Sequence, residues 1–153
     1  MTEGETLLVA EAERRLGPKA VITDQKDIEP WVTDWRGRIH GAAPAILAPQ
    51  STEEVAEIVR LAAEHRVPLV PQGGNTGMAG GATPPSDGSA VLLSMRRMDA
   101  IRSMSAENRL AVAEAGVILA NLHNAAQKVG MRFPLTLGAR GSCTIGGLTS
   151  TNA

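Results

Sequence analysis

The chain has 153 residues, a size that suits a single domain, with 43% hydrophobic residues and a formal net charge of −1. That balance describes a globular chain and argues against the basic surface that nucleic acid or an anionic membrane attracts. With one Phe, two Trp and no Tyr, stacking platforms for bases are essentially absent, so the core must be built from Ala, Val, Leu, Ile and Met.

Leu7, Leu8, Ala10, Ala12 and Leu16 fit a short amphipathic helix, with Gly17-Pro18 as its stop. Residues 21–38 are mixed, and Pro30-Trp31 and Trp35-Arg36-Gly37-Arg38 read as irregular, half-buried structure. Ala45-Ile46-Leu47-Ala48 is a short buried strand ended by Pro49. Ser51 and Glu54 form a capping box, and Val55, Ile58, Val59 and Ala62 continue it as an apolar stripe at helical spacing. The helix must stop before Pro68, and Leu69-Val70 is the next strand. This β-α-β unit places the segment after Pro71 at the carboxyl end of its second strand, where open α/β sheets bind ligands.

That segment is Gln72-Gly73-Gly74-Asn75-Thr76-Gly77-Met78-Ala79-Gly80-Gly81. Glycine admits positive φ and a close ligand, and successive N–H groups in such a turn can converge on an anion. The stretch is therefore a candidate pyrophosphate loop; a flexible surface loop is the plain alternative. It is not a Walker loop, since no Lys or Arg lies between Gln72 and Asp87, and its Gly74-x-x-Gly77-x-x-Gly80 order is not the dinucleotide fingerprint.

Beyond a turn-rich connector at 84–89, Ala90–Leu93 reads as a buried strand, and 101–104 with 110–113 as a hairpin across Ala106-Glu107-Asn108. A helix follows Gly116, with Leu119, Leu122, Ala126 and Val129 on one face and Gly130 as its C′ residue. The order is α/β at first and then antiparallel, so a plain doubly wound sheet is not expected. Near the end stands a second glycine cluster, Phe133-Pro134-Leu135-Thr136-Leu137-Gly138-Ala139-Arg140-Gly141-Ser142-Cys143-Thr144-Ile145-Gly146-Gly147. Two hydroxyl-bearing glycine loops on either side of a compact α/β stretch suit one long ligand touched at two places.

Together, P-x-G-G-N-T-G-x-x-G-G and F-P-L-x-L-G-x-x-G-S-C-T-I-G-G resemble the FAD-linked oxidases of the vanillyl-alcohol oxidase and p-cresol methylhydroxylase type. Within that family the likeness is nearest to FAD-dependent D-2-hydroxy-acid dehydrogenases acting on D-lactate, glycolate or D-2-hydroxyglutarate. The resemblance runs from about Trp31 to the last residue. It implies an α+β fold, the PCMH-type FAD-binding domain, with a lead-in over 1–40 and the domain over 41–153. The chain stops at Gly147–Ala153 inside a motif that continues in the family, so a truncated domain is expected, with the substrate domain outside it.

By the same resemblance Gly73, Gly74, Asn75, Thr76 and Gly77 would wrap the FAD pyrophosphate, with Gly80 and Gly81 completing the loop and Pro71 setting its entry. Pro134, Leu135, Gly138, Ser142, Thr144, Ile145, Gly146 and Gly147 correspond to the part that lies along the flavin. Leu148 departs from the asparagine frequent at that place. Asn75 cannot form a histidyl-flavin bond, and Cys143 is read as a small buried hydrophobe, so FAD is expected to be non-covalent. The implied reaction oxidises a 2-hydroxy acid to the 2-oxo acid by hydride transfer to flavin N5, and an electron carrier would take the electrons onward. Its catalytic base and any metal ligands would lie beyond this chain. A different alcohol or alditol oxidase on the same domain, or a nucleotide-binding module without catalysis, are the alternatives.

The lone Cys143 permits no internal disulfide and no cysteine zinc cluster. His40, His65 and His123 form no set, and Glu53, Glu54 and Glu57 complement a helix dipole. Trp35-Arg36 is read as packing, with arginine lying over the ring, ahead of a carboxylate clamp. The start Met1–Glu5 is acidic, no signal-peptide pattern comes after it, and no apolar run approaches a membrane span. A cytoplasmic location is the resulting expectation.

Overall fold

The computed structural model describes residues 1–153. Helix α1 (Glu3–Leu16) opens on a full capping box: Thr2 Oγ1 accepts the Glu5 amide and the Glu5 carboxylate accepts the Thr2 amide at 2.7 Å. Gly17 closes it at φ 88, a conformation that suits glycine. A 3-10 turn at Pro18–Ala20 leads into β1 (Val21–Ile22), then α2 (Gln25–Ile28) and a 3-10 turn at Glu29–Trp31. After β2 (Ile46–Leu47) come α3 (Thr52–Glu64), β3 (Leu69–Gln72) and β4 (Val91–Ser94). The remainder is the hairpin β5 (Ile101–Ser105) and β6 (Leu110–Ala113), α4 (Leu119–Lys128) and α5 (Ile145–Thr151).

The first sheet has the order β1-β2-β4-β3, with β1 antiparallel to β2 and the other pairs parallel. The expected β2-α3-β3 unit is present but split: β4 lies between its two strands. The physical reason is visible in β4, where all four residues are buried, as a central parallel strand covered on both faces must be. Alternation along the strands divides the core. Leu47, Val91 and Leu93 face Leu8, Ala12, Ile58 and Leu61 from α1 and α3. Ile46 and Leu92 face Ile28, Val32 and Ala43, with Trp31 packed against them. The carboxyl ends of β2, β3 and β4 point the same way, so the glycine loop after β3 leaves at that edge.

Two local details differ from expectation. The α3 cap is half a capping box: Ser51 Oγ accepts the Glu54 amide at 3.2 Å, but the Glu54 carboxylate reaches the Gln50 amide at 2.8 Å instead of that of Ser51. The buried stripe of α3 is Ile58, Leu61 and Ala62, whereas Val59 is 49% exposed. The end of α4 agrees with expectation. Gly130 (φ 72) donates to Gln127 and Met131 to Ala126, a Schellman closure.

The second part of the chain is antiparallel. β5 and β6 pair as a two-stranded sheet, with Arg109 at φ 50 in its turn. Behind it Val117, Leu119, Leu122, Ala126 and Cys143 are buried. An isolated antiparallel bridge joins Ile118 to Thr144 and brings the second glycine cluster back onto the start of α4.

Candidate functional site

The first glycine loop is unusual in its hydrogen bonding. From Gly73 through Ala82 no backbone N–H donates to any acceptor in the chain; the one turn bond nearby runs from Thr83 to the Gly80 carbonyl at 3.0 Å. Backbone donors in folded chains are almost always paired, so amides left free over half-buried residues such as Gly73–Thr76 are available to water or to a ligand. No acidic side chain lies in the loop to repel an anion, and the Thr76 hydroxyl is also unpaired. Asn75 sits at φ 52, in the left-handed region where asparagine is enriched. The donor set fits a pyrophosphate.

Side-chain bonds to backbone carbonyls give the loop its shape. The Gln72 amide is buried and donates to the Trp31 carbonyl and to the Ala82 carbonyl, each at 2.8 Å, closing the loop at its base. Asn75 Nδ2 donates to the Thr33 carbonyl at 2.8 Å. Pro71 is an exposed residue of β3 at the entry. Gly77 and Gly81 are exposed, with open space where a Cβ would stand.

The structure brings the two glycine clusters into contact, and it changes why two glycines are needed. A Cβ on Gly73 would stand 2.2 Å from Thr144 Oγ1, and one on Gly74 would stand 1.8 Å from the Ser142 carbonyl oxygen. Gly73 and Gly74 are therefore glycine because the second cluster lies against them. Proximity of a ligand is not needed to explain them.

That second cluster divides in two. Gly138 and Gly141 are exposed, have open space around them and make no amide bond inside the chain. From Ser142 to Gly147 every amide but that of Thr144 is committed: Ser142 and Cys143 to Ala139, Ile145 to Val117, Gly146 to Ala115 and Gly147 to Thr144 Oγ1. A Cβ on Gly146 would stand 2.7 Å from the Ala115 Cβ, so this glycine also serves packing. Thr144 is 3% exposed and caps α5. Upstream, Pro134 is exposed and Leu135 half-buried, and His123 Nε2 donates to the Leu135 carbonyl at 2.8 Å. His40 pairs with Thr33 and His65 with Glu11, so all three histidines have local partners.

Cys143 is 4% exposed, and burial pushes its thiol pKa up, away from the thiolate a covalent link would need. The Arg36 guanidinium lies 5.4 Å over the Trp35 ring, as the packing reading expects, but Trp35 is 57% exposed, not half-buried. Sequence pattern did not single out Gln72, Asp34 or Ala115. The first two carry a faint signal: a polar residue ending an apolar strand, and an aspartate opening the turn Asp34-Trp35-Arg36-Gly37.

Comparison with known proteins agrees with this geometry. Residues 43–153 match the family model of an FAD binding domain, and the chain belongs to that family, with FAD as its cofactor. It is 41% identical over 139 residues to the mitochondrial D-2-hydroxyglutarate dehydrogenase of Bos taurus, covering 91% of this chain and 25% of the relative. It is 36% identical over 131 residues to a Schizosaccharomyces pombe protein named as a mitochondrial D-lactate dehydrogenase, covering 86% and 24%. Among solved structures, alkyldihydroxyacetonephosphate synthase superposes with a TM-score of 0.86 at 23% identity, over all of this chain and 32% of the other. p-Cresol methylhydroxylase gives 0.81 at 22% identity, over 97% and 30%. The fold is the α+β PCMH-type FAD-binding domain, and the chain spans about a quarter of the length of these relatives.

The expected cytoplasmic location is overturned. Relatives from cattle, rice, Arabidopsis thaliana and fission yeast are named as mitochondrial enzymes. The acidic Met1–Glu5 stretch includes the Thr2–Glu5 cap of α1, so its charge reports a helix start and carries no information on compartment. No helix is long and apolar enough to cross a membrane.

Proposed function

We propose that the protein to which this chain contributes the FAD-binding part is an FAD-dependent dehydrogenase of D-2-hydroxy acids, in the class of D-2-hydroxyglutarate, D-lactate or glycolate. The observation that carries the reading is the row of unpaired amides from Gly73 to Ala82, on a chain 41% identical to a D-2-hydroxyglutarate dehydrogenase. When bound, FAD supplies the acceptor for the two electrons released as the secondary alcohol becomes a ketone.

This chain's own residues hold and orient. The amides of Gly73, Gly74, Asn75, Thr76 and Gly77, with the Thr76 hydroxyl, donate to the pyrophosphate oxygens, and Gly80 and Gly81 let the loop close. No lysine is required there, because several aligned N–H dipoles meet the charge. Pro71 sets the loop's entry. Gly138 and the exposed Ser142 hydroxyl present donors along the flavin. Pro134 and Leu135, held through His123, continue that wall. Thr144, Ile145, Gly146 and Gly147 act behind it, keeping the second cluster pressed against the first. Residues 1–40 serve as a lead-in to the domain at 41–153. The substrate-binding residues, catalytic base and any metal ligands belong to a further domain, and an electron carrier takes the electrons onward. FAD is held without a covalent bond, since Asn75 offers no nucleophile and Cys143 is a buried thiol.

Anaerobic mixing of the full-length protein with 2-hydroxy acids tests the reading. The visible flavin band should bleach with the D enantiomer and little with the L. Equal bleaching by both, or bleaching only by polyols or phenols, moves the assignment to another alcohol oxidase on this domain. Acid precipitation should leave the yellow colour in the supernatant; colour retained in the pellet and lost in Cys143→Ser would overturn the non-covalent attachment.

A further inference from the structure

The glycine loop has almost no internal hydrogen bonding, so its shape must come from outside. Much of it comes from one short hairpin. Residues 32–41 fold back on themselves through Gly41 N–H to the Val32 carbonyl at 2.7 Å and Asp34 N–H to the Ile39 carbonyl at 3.0 Å. The tip of this hairpin is not held by a core: Trp35 is 57% exposed and Ile39 44%. What holds it is the Asp34 carboxylate, itself only 5% exposed. Oδ1 accepts the amides of Arg38 and Ile39, each at 2.7 Å, and Oδ2 that of Arg36 at 3.3 Å. Hydrogen bonds to an ionised acceptor are roughly twice as strong as neutral ones, so one side chain fixes the turn.

The hairpin and its flanks in turn touch the glycine loop along its length. The Trp31 carbonyl takes Gln72, and the Thr33 carbonyl takes Asn75, both at 2.8 Å. Arg36 Nη2 lies 3.8 Å from Met78 Sδ, and Ile39 covers Gly80, which has φ 75. Thr33 immediately precedes Asp34, so the carbonyl that holds Asn75 in its left-handed conformation is set by the same turn.

We propose that Asp34 is a positioning residue for the cofactor loop: by fixing the 32–41 hairpin it presents the Thr33 carbonyl to Asn75 and so pre-shapes the amides that receive the pyrophosphate. This inference rests on the reading that the loop holds FAD. Asp34 touches no part of the cofactor site and acts through Asn75. Pre-organised donors bind more tightly than donors that must be ordered on binding, so loss of the latch appears in the affinity for FAD.

The test is an FAD titration of the full-length apoprotein, followed by flavin fluorescence, with the thermal midpoint of the apoprotein measured alongside. Asp34→Ala and Asn75→Ala should each weaken FAD binding about ten-fold. Because both remove the same tether, the double variant should fall to about twenty-fold, well short of the roughly hundred-fold product expected for independent sites. Asp34→Asn keeps an acceptor for the Arg38 and Ile39 amides and should weaken binding about three-fold; if Asp34→Ala does not fold, Asp34→Asn carries the cycle with Asn75→Ala. Unchanged FAD affinity in the Asp34 variants, or effects that multiply in the double variant, overturns the proposal. A lowered apoprotein midpoint with unchanged affinity would reduce Asp34 to general stability and overturn it equally. A wild-type protein that does not bind FAD at all would instead overturn the FAD reading itself, and this inference with it.

Discussion

The two glycine clusters have similar composition and opposite bonding. The first, Gly73–Ala82, leaves its amides free and is shaped by the Gln72 side chain, the Thr33 carbonyl that takes Asn75, and the Ile39 side chain. The second, from Ser142 to Gly147, commits all its amides but that of Thr144, to Ala139, Ala115, Val117 and the Thr144 hydroxyl. One cluster is a donor surface; the other is mainly the wedge that supports it. Glycine content alone does not distinguish the two, because glycine serves a close ligand and a close backbone equally well. The distinction lies in where each N–H goes and in what a Cβ would strike.

The largest expected effect comes from the contact between the clusters. Gly74→Val would place a branched side chain on the Ser142 carbonyl, at a point where a Cβ already stands 1.8 Å away. Backbone on both sides must move, so FAD should be lost completely on desalting. Circular dichroism separates this from global unfolding, since the strands and helices of the first sheet do not depend on the contact. Stoichiometric flavin in that variant would show that the clusters need not touch.

Gly77→Ala and Gly146→Ala test the comparison as a pair. Gly77 has open space around it and no positive φ, so alanine leaves the apoprotein's stability unchanged. If phosphate oxygens approach its amide, the added methyl weakens FAD binding about ten-fold, or about 1.4 kcal/mol. At Gly146 the methyl meets Ala115 at 2.7 Å for its Cβ and 2.9 Å for its carbonyl oxygen, and overpacking of this kind costs about 1–3 kcal/mol of stability. The affinity of the folded fraction for FAD should then change little. Reversed results, with stability lost at Gly77 and affinity lost at Gly146, would exchange the roles assigned to the clusters.

How far these roles are legible in sequence depends on the range of the interactions. Local chemistry reads well: Gly17 after Leu16, Gly130 after Val129, and the hairpin around 106–109 stand where their residues place them. The two glycine clusters also lie where the strand and helix signals put them, after β3 and after α4. Long-range partnership does not read. Nothing in Val91–Ser94 announces that it enters between β2 and β3, because period and burial identify a strand without naming its neighbours. Val59 and Leu61 differ by two positions on α3 and by burial from 49% to 0%, a choice made by the packing of α1. Asp34 and Gln72 look like ordinary polar residues until the carbonyls and amides they reach across 41 residues or around a turn are known.

A pH titration sharpens the same contrast, since the donor loop depends on an ionised group and the wedge does not. The Ile39 amide, followed by those of Arg38 and Arg36, holds the Asp34 carboxyl below its ordinary value, against the opposing effect of burial. A depressed folded pKa contributes stability above the unfolded pKa and loses it as pH falls through the folded one. The stability difference between wild type and Asp34→Asn should therefore be constant at neutral pH. It should shrink once pH drops below about 4, the ordinary aspartate range. Arg36, Arg38 and His40 face this carboxylate from the same turn and are common to both proteins, so the comparison with Asp34→Asn isolates the contribution of Asp34. A difference independent of pH would mean that the carboxylate's charge does not hold the turn.

The smallest expected effect is at Gly147, next to Gly146 but facing outward. Its Cβ position meets only Thr144 Oγ1, at 3.3 Å, and the residue is exposed. Alanine is favoured over glycine inside a helix by about 1 kcal/mol. The tight contact with the Thr144 hydroxyl, which caps this helix through the Gly147 amide, offsets part of that gain. Gly147→Ala should therefore shift stability by less than about 1 kcal/mol in the stabilising direction, read from the denaturant midpoint, where Gly146→Ala shifts it the other way. The opposite signs at adjacent residues come from what each Cβ meets. If Gly147→Ala proves as damaging as Gly146→Ala, this glycine lies against something the second cluster does not itself supply, and the donor surface extends further than the bonding of its amides indicates.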